Sequence, residues 1–116
     1  YLNSGDKSDP YVVLQVGNEA PQKTKVIKDN LDPEWTGDSF RFSVGAGDHT
    51  LKLKLFDYDL QSKDDPLGKT YLEFRSIQPG KPQQRTMAVE DGTGTLTVQV
   101  TFTPFASDDA FHAVIG

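Results

Sequence analysis

The chain has 116 residues, no cysteine and a net charge of −5, with 12 lysine and arginine residues against 17 aspartate and glutamate residues. This length predicts one domain that can bury a hydrophobic core without disulfide or zinc staples. The composition excludes thiolate chemistry and Cys-ligated metals, and it argues against a uniformly basic nucleic-acid-binding protein.

Hydrophobic side chains recur with a period of two along most of the chain, which indicates β-strands rather than helices. The alternation predicts strands at 11–16, 23–27, 38–44, 51–56, 71–74, 86–89 and 96–102. Clusters of Asn, Asp, Gly, Pro and Ser separate them, at 3–10, 17–21, 29–34, 45–49, 57–68, 78–83 and 90–94. Short strands with such turn clusters are typical of an all-β antiparallel sandwich.

One face of each strand must then pack against the opposite sheet, about 10 Å away. The residues expected to face inward are Val12, Leu14, Val16, Phe40, Phe42, Leu51, Leu53, Leu55, Leu96, Val98 and Val100. Trp35 follows Asp-Pro-Glu, and we expect it to fill the sandwich where a loop enters a strand.

Two acidic loops, at 3–10 and 57–66, carry the strongest functional signal. Asp57 and Asp59 are two positions apart, so at an extended strand end both carboxylates project to one side. Asp64 and Asp65 follow after a short excursion, and such crowding costs stability unless a cation is present. Calcium accepts six to eight oxygens from flexible loops, so the pattern predicts a calcium site. Solvated turn residues are the alternative interpretation.

Three segments resemble the C2 domain family, the calcium- and phospholipid-binding β-sandwich of protein kinase C and synaptotagmin. They are Ser-Asp-Pro-Tyr-Val at 8–12, the stretch 23–35 that ends in Asn-Leu-Asp-Pro-Glu-Trp, and the stretch 56–68 with its Asp-Tyr-Asp and Asp-Pro-Leu-Gly. The resemblance covers about residues 3–102 in the family's order. It implies an eight-stranded antiparallel Greek-key β-sandwich with calcium loops at one end.

The resemblance also implies a set of calcium ligands from two loops. They are Asp9, Asp57, Asp59 and Asp65, with Ser62 able to lend a further oxygen. The remaining first-loop position is Asn3, whose amide oxygen can ligate but brings no charge, which weakens one ion position without abolishing binding. Asp6 and Asp64 are candidates to compensate, although neither matches a family ligand position.

The family's strand that leads into the first loop would precede Tyr1. We therefore assign residues 1–105 to the sandwich and 106–116 to a C-terminal tail whose residues 111–115 resemble a strand. We expect this tail to supply the missing edge strand of the same domain, because an empty slot exposes unpaired backbone groups. The last strand in sequence would then take the place of the family's first strand, and the chain order would be permuted. A chain that begins after the first strand, a strand lent by a neighbouring chain and a linker tail are the alternatives.

The resemblance implies two kinds of lipid contact. Leu2 and Leu60, at the loop tips, would enter the membrane interface. In the family, the strands that here carry Lys23, Lys25, Lys52 and Lys54 are neighbours and form a lysine-rich concave face for phosphoinositides. A solvated face that opposes aggregation is the alternative for these lysines.

The resulting hypothesis is a calcium-dependent targeting module of a larger protein that binds anionic phospholipid membranes, phosphatidylserine and phosphoinositides among them. The resemblance implies a cytoplasmic, peripheral membrane location. No apolar run approaches the roughly 18 residues of a span, and no signal peptide is visible in this sequence. The alternative is a calcium-independent structural or protein-interaction module with a protein partner. Two histidines and no nucleophile motif argue against an enzyme, and the charge argues against a nucleic-acid partner.

Overall fold

The computed structural model describes residues 8–30, 32–35, 37–45, 47–103 and 109–115, the last range for its backbone alone. Within these ranges the strands are β1 (Pro10–Val16), β2 (Gln22–Lys23), β3 (Ser39–Val44), β4 (Thr50–Asp57), β5 (Asp65–Glu73), β6 (Gln83–Ala88), β7 (Thr95–Thr103) and β8 (Asp109–Ile115), with a 3₁₀ turn at Phe74–Ser76. No helix in this described part of the chain has the length and apolar character needed to cross a membrane.

The strands form two four-stranded antiparallel sheets, with β2-β1-β4-β5 in the first and β3-β8-β7-β6 in the second. The predicted β-sandwich is therefore confirmed. Every core residue predicted from the alternation is buried, as is Trp35, whose Nε1–H donates to the carbonyl of Lys25 at 2.9 Å. Because alternate residues point inward, the intervening side chains of β1 and β4 cover the outer face of the first sheet.

The strand predicted at 23–27 was wrong in length, since β2 ends at Lys23. The side chain of Thr24 explains the early end. The backbone N–H of Val12 donates to Thr24 Oγ1 at 2.9 Å, and the Thr24 N–H donates to the Val12 carbonyl at 2.9 Å. The Thr24 hydroxyl thus takes the place of the next backbone acceptor in the ladder between β1 and β2. Thr24 is buried, with only 5% of its surface exposed.

The turn segment predicted at 57–68, which contains the second acidic loop, is shorter than expected, because β5 already begins at Asp65. Its first residues pair with the end of β4, with an irregular register between Leu55 and Phe56. The early start of β5 brings Asp65 directly opposite Asp57, and the two residues are partners across the two strands. The second acidic loop therefore connects neighbouring strands through residues 58–64.

The predicted edge position of the C-terminal strand was wrong. β8 lies inside the second sheet, where it pairs with β3 on one side and with β7 on the other. The pairing with β3 joins residues 39–44 to residues 109–114. An interior strand satisfies the backbone groups of two neighbours, so β8 closes a gap that would otherwise leave two strand edges unpaired.

Candidate functional site

Aspartate residues from distant parts of the chain lie close together at one end of the first sheet. The backbone N–H of Asp9 donates to Asp57 Oδ1 at 2.9 Å, and the N–H of Tyr58 donates to the Asp9 carbonyl at 2.9 Å. Asp57 is also the β4 partner of Asp65 on β5. Partners on antiparallel strands have Cα atoms about 4.5–5.5 Å apart. The fold therefore brings together Asp9, Asp57 and Asp65.

A further loop meets the same end of the molecule. The backbone N–H of Asp29 donates to Asp9 Oδ1 at 2.8 Å, and the N–H of Asn30 donates to the Ser8 carbonyl at 2.9 Å. Asp29 has a positive φ of 52°, a left-handed conformation that aspartate tolerates better than most residues. These contacts fix the conformation of the first acidic loop where it enters β1.

Asp59 and Ser62 form a local turn beyond the end of β4. The N–H of Gln61 donates to Asp59 Oδ1 at 2.9 Å, and the Ser62 hydroxyl donates to Asp59 Oδ2 at 2.7 Å. These two donors, the backbone N–H first, hold the pKa of Asp59 below its usual value. Both residues were predicted to belong to one ligand set, and the structure places them side by side.

Asp64 links this loop to β1. Its Oδ1 accepts the backbone N–H of Asp59 at 2.9 Å, and its Oδ2 accepts the hydroxyl of Tyr11. The Tyr11 hydroxyl and then the Asp59 N–H hold the pKa of Asp64 below its usual value. Burial, reinforced by the Asp64 carboxylate, raises the pKa of Tyr11 to about 12.

Within the described residues, no three His, Asp or Glu side chains already converge on one point as metal ligands do. The carboxylates are instead engaged by nearby donors, and the bonds described for Asp9 and Asp57 each use Oδ1. The Oδ2 atoms of Asp9 and Asp57, together with the side-chain oxygens of Asp59 and Ser62, are candidate metal ligands. The donor set is all oxygen, contains no nitrogen or sulfur, and lies on loops, so its chemistry fits calcium.

The tip of the second acidic loop presents an apolar side chain to solvent. Leu60 is 82% exposed and Tyr58 is 37% exposed. Leu60 therefore lies at the predicted tip. The other predicted loop residues, Leu2 and Asn3, together with Asp6, lie outside the described residues.

A basic groove of about 510 Å³ runs along the outer face of the first sheet, next to the acidic end. It is lined by Lys23, Lys52 and Lys54 together with Tyr11, Val13, Gln15, Pro21, Gln22 and Phe56. The rings of Tyr11 and Phe56 stack with their centroids 5.6 Å apart. A larger cavity of about 640 Å³, lined by His49, Phe74 and Phe102 among others, lies at the opposite end, away from the predicted site residues that the structure describes.

The lysines on this face of the sheet differ from the prediction at two positions. Lys25 follows the end of β2, and it does not line the groove. Lys69, which sequence reasoning missed, is the β5 partner of Lys54 and pairs with Asp91 at 3.4 Å. The alternation of Lys69 and Tyr71 indicates that both lie on one face of a strand. This signal was missed because residues up to 68 were predicted to be loop and the strand was predicted to begin at 71.

Comparisons with known proteins agree on one family. Residues 2–89 match the sequence model of the C2 domain. The chain is 30% identical to Synaptotagmin-2 of Arabidopsis thaliana over 115 residues, which is 88% of this chain and 21% of that protein. It is 33% identical over 97 residues to an uncharacterised protein of Schizosaccharomyces pombe, with 84% of this chain and 7% of that protein covered.

Among solved structures, the calcium-bound tandem C2 domains of Extended-Synaptotagmin 2 match with a TM-score of 0.70 and 30% identity. The match covers 88% of this chain and 39% of that one. The chain thus spans well under half the length of each of these three relatives.

Proposed function

This chain belongs to the C2 domain family, and from that premise we propose that it is a calcium-dependent module that binds anionic phospholipid membranes on behalf of a longer protein. The family relationship supports a membrane-targeting module in general, and calcium dependence and lipid class are the parts proposed here. The observation that carries the proposal is the junction of Asp9, Asp57 and Asp65 at one end of the first sheet.

The proposed ligands are the carboxylates of Asp9, Asp57, Asp59 and Asp65, with oxygens from Ser62 and Asn3. Hydrogen bonds from backbone N–H groups hold Asp9 and Asp57 in place, so these two enter the ion site with little reorganisation. The Ser62 hydroxyl donates a hydrogen bond to Asp59, and this hydrogen bond would break when both side chains coordinate the ion. When bound, calcium would offset the carboxylate charge and supply coordination positions for lipid phosphate or carboxylate oxygens.

The exposed loop tip is the proposed point of insertion into the lipid interface. Leu60 is the most exposed of the large hydrophobic side chains in the described residues, and it lies within the acidic loop itself. Tyr58, two residues away, has the amphipathic ring that favours the headgroup level. Leu2 is proposed to act in the same way from the first loop.

The basic groove is the proposed site for a phosphoinositide headgroup. Lys23, Val13, Lys54 and Lys69 form one row across all four strands of the first sheet. Lys54 and Lys69 are direct partners, and Asp91 already offsets the charge of Lys69. An anionic headgroup would offset the charges of Lys23 and Lys54, which line the groove. Lys52 extends the basic surface, and Lys25, although predicted, lies beyond the strand that lines it.

The test is cosedimentation of the protein with phosphatidylserine vesicles, in calcium and in excess chelator. We expect binding in calcium that disappears with chelator and in the double variant Asp57→Asn, Asp59→Asn. The matched control is Glu19→Gln with Glu73→Gln, which removes the same charge from exposed positions at the opposite end of the sheet and should bind normally. Equal binding in calcium and in chelator would contradict the proposal.

One observation favours a calcium-independent interaction module instead, namely that the neutral Asn3 stands at a first-loop position where the family has an aspartate. Calorimetric titration separates the two functions. A ligand that binds the native state must raise its stability. Calcium at millimolar concentration should therefore release or absorb heat and raise the melting temperature, and the absence of both effects would favour the interaction module.

A further inference from the structure

Asp64, in the second acidic loop, accepts hydrogen bonds from two different partners with its two oxygens. Oδ1 accepts the backbone N–H of Asp59, at 2.9 Å, within the loop. Oδ2 accepts the hydroxyl of Tyr11, which is 53 positions away on β1. Both acceptors belong to one carboxylate, so the position of the loop backbone at Asp59 is tied to a side chain on the sheet.

The Tyr11 end of this bridge is itself held firmly. The Tyr11 ring packs against Phe56 with an angle of 23° between their planes, and both rings line the basic groove. Lys23, on the same groove, is close enough to Asp64 to lower the pKa of that carboxyl further. The bridge therefore joins the loop to a side chain that lines the groove.

We propose that Asp64 is a positioning residue that fixes the acidic loop against the sheet through Tyr11, so that the Tyr11 hydroxyl, which is not a proposed ligand, sets the calcium affinity of the loop. This inference rests on the proposed function. Its physical basis is pre-organisation, because a loop already held in the binding conformation loses less entropy when the ion binds. Partners that orient metal ligands from outside commonly change metal affinity by about 10–100-fold.

The test is isothermal titration of the calcium-free protein with calcium chloride. Tyr11→Phe removes one hydroxyl and leaves the ring, the net charge and every proposed ligand in place. We expect its calcium affinity to fall on the order of tenfold, at the low end for residues that orient ligands. Tyr71→Phe is the control, because it removes a hydroxyl from the same outer face of the sheet, and its affinity should equal that of the unaltered protein.

A second measurement needs no calcium. The amide proton of Asp59 donates to Asp64, whereas that of Tyr58 donates to the Asp9 carbonyl. Hydrogen exchange followed by NMR should therefore be faster at Asp59 in Tyr11→Phe and unchanged at Tyr58.

Asp64→Asn is the second variant for the calcium titration. Combining it with Tyr11→Phe should weaken calcium binding by less than the product of the two separate effects, because both substitutions break the same bridge.

The outcomes separate this inference from the function on which it rests. Calcium binding by the unaltered protein with an equal affinity in Tyr11→Phe would overturn the inference and leave the proposed function standing. Multiplicative effects of Tyr11→Phe and Asp64→Asn would also overturn it. An unaltered protein that binds no calcium would overturn both.

Discussion

The backbone N–H of Asp9 donates a hydrogen bond to Oδ1 of Asp57, although 48 positions separate the two residues. The bond joins the start of β1 to the end of β4, where the neighbouring residues Pro10 and Asp57 are strand partners. The pairing of β1 with β4 therefore holds these two acidic loops next to each other.

This bond makes a prediction for the calcium-free protein. Asp57→Ala leaves the part-buried N–H of Asp9 without its acceptor, whereas Asp57→Asn keeps an oxygen for it. We expect the alanine variant to be less stable than the asparagine variant by about 1 kcal/mol, since an unsatisfied donor costs about 1–3 kcal/mol when buried. Urea unfolding in chelator measures the difference, and equal stability of the two variants would contradict it.

Gly92, in the loop after β6, packs closely against the beginning of β5. A Cβ at Gly92 would overlap the Leu67 carbonyl oxygen, and two backbone hydrogen bonds between Lys69 and Glu90, of 2.7 and 2.9 Å, prevent the segments from separating. We expect Gly92→Ala to lower the free energy of unfolding by about 3 kcal/mol or more. Thermal and urea unfolding measure the change.

Gly47→Ala is the control for that variant, because no described heavy atom lies within 4 Å of the position that the added methyl group would take. It should be neutral or stabilising by up to about 1 kcal/mol. A Gly92→Ala protein as stable as Gly47→Ala would show that the two segments can move apart.

Thr24 completes the ladder of β1 with its side chain. Thr24→Val keeps the shape but removes the acceptor for the Val12 N–H and the donor to the Lys25 carbonyl. We expect a loss of about 1–3 kcal/mol, because the N–H of a fully buried residue is left unpaired. Thr86→Val, at an exposed position of β6, should change stability by no more than about 0.5 kcal/mol, and similar losses in both variants would contradict the role given to Thr24.

Tyr11 predicts how stability depends on alkaline pH. Its pKa is raised from 10.0 to about 12 in the folded protein. Between these values the folded state holds a proton that the unfolded chain has lost, so the stabilisation is complete below pH 10 and is lost as the pH rises toward 12. The free energy of unfolding in urea, measured from pH 9 upward, should decline less steeply in Tyr11→Phe than in Tyr71→Phe, and identical slopes would refute the assignment.

The basic groove predicts which lysines matter for phosphoinositide binding. Lys54→Gln should weaken binding to phosphoinositide vesicles about fivefold, because each lysine near an anionic surface contributes about 1 kcal/mol. Lys81→Gln removes the same charge from an exposed loop outside the groove and is the control. Equal binding by the two variants would contradict this prediction, because the groove lysines would then contribute to phosphoinositide binding only through the net charge of the protein.

The buried face of the sandwich was predictable because alternation in β1, β4 and β7 is a local signal. Asp57 and Asp65 were placed in one loop for the same reason, since both are near each other in sequence. Their register across β4 and β5 could not be predicted, because the strand begins inside an apparent turn of polar residues.

Side-chain hydrogen bonds between separate segments of the chain escaped prediction altogether. The hydroxyl of Thr24 ends β2 early, and the carboxylate of Asp64 connects to Tyr11 over a long stretch of sequence. Neither contact has a periodicity, and each depends on the tertiary fold. The interior place of β8 was missed for a related reason, because the pattern of a strand reveals its faces but not its neighbours.

The interior place of β8 has a consequence for synthesis on the ribosome. β3 emerges early, yet one of its edges stays unpaired until residues 109–114 have left the exit tunnel. Closure of the second sheet must then wait until β8 has been made, and pairing over such long sequence separations is intrinsically slow. A nascent chain that stalls before β8 would present two open edges to other polypeptides, which makes this strand the one whose late arrival most exposes the protein to chaperones and to aggregation.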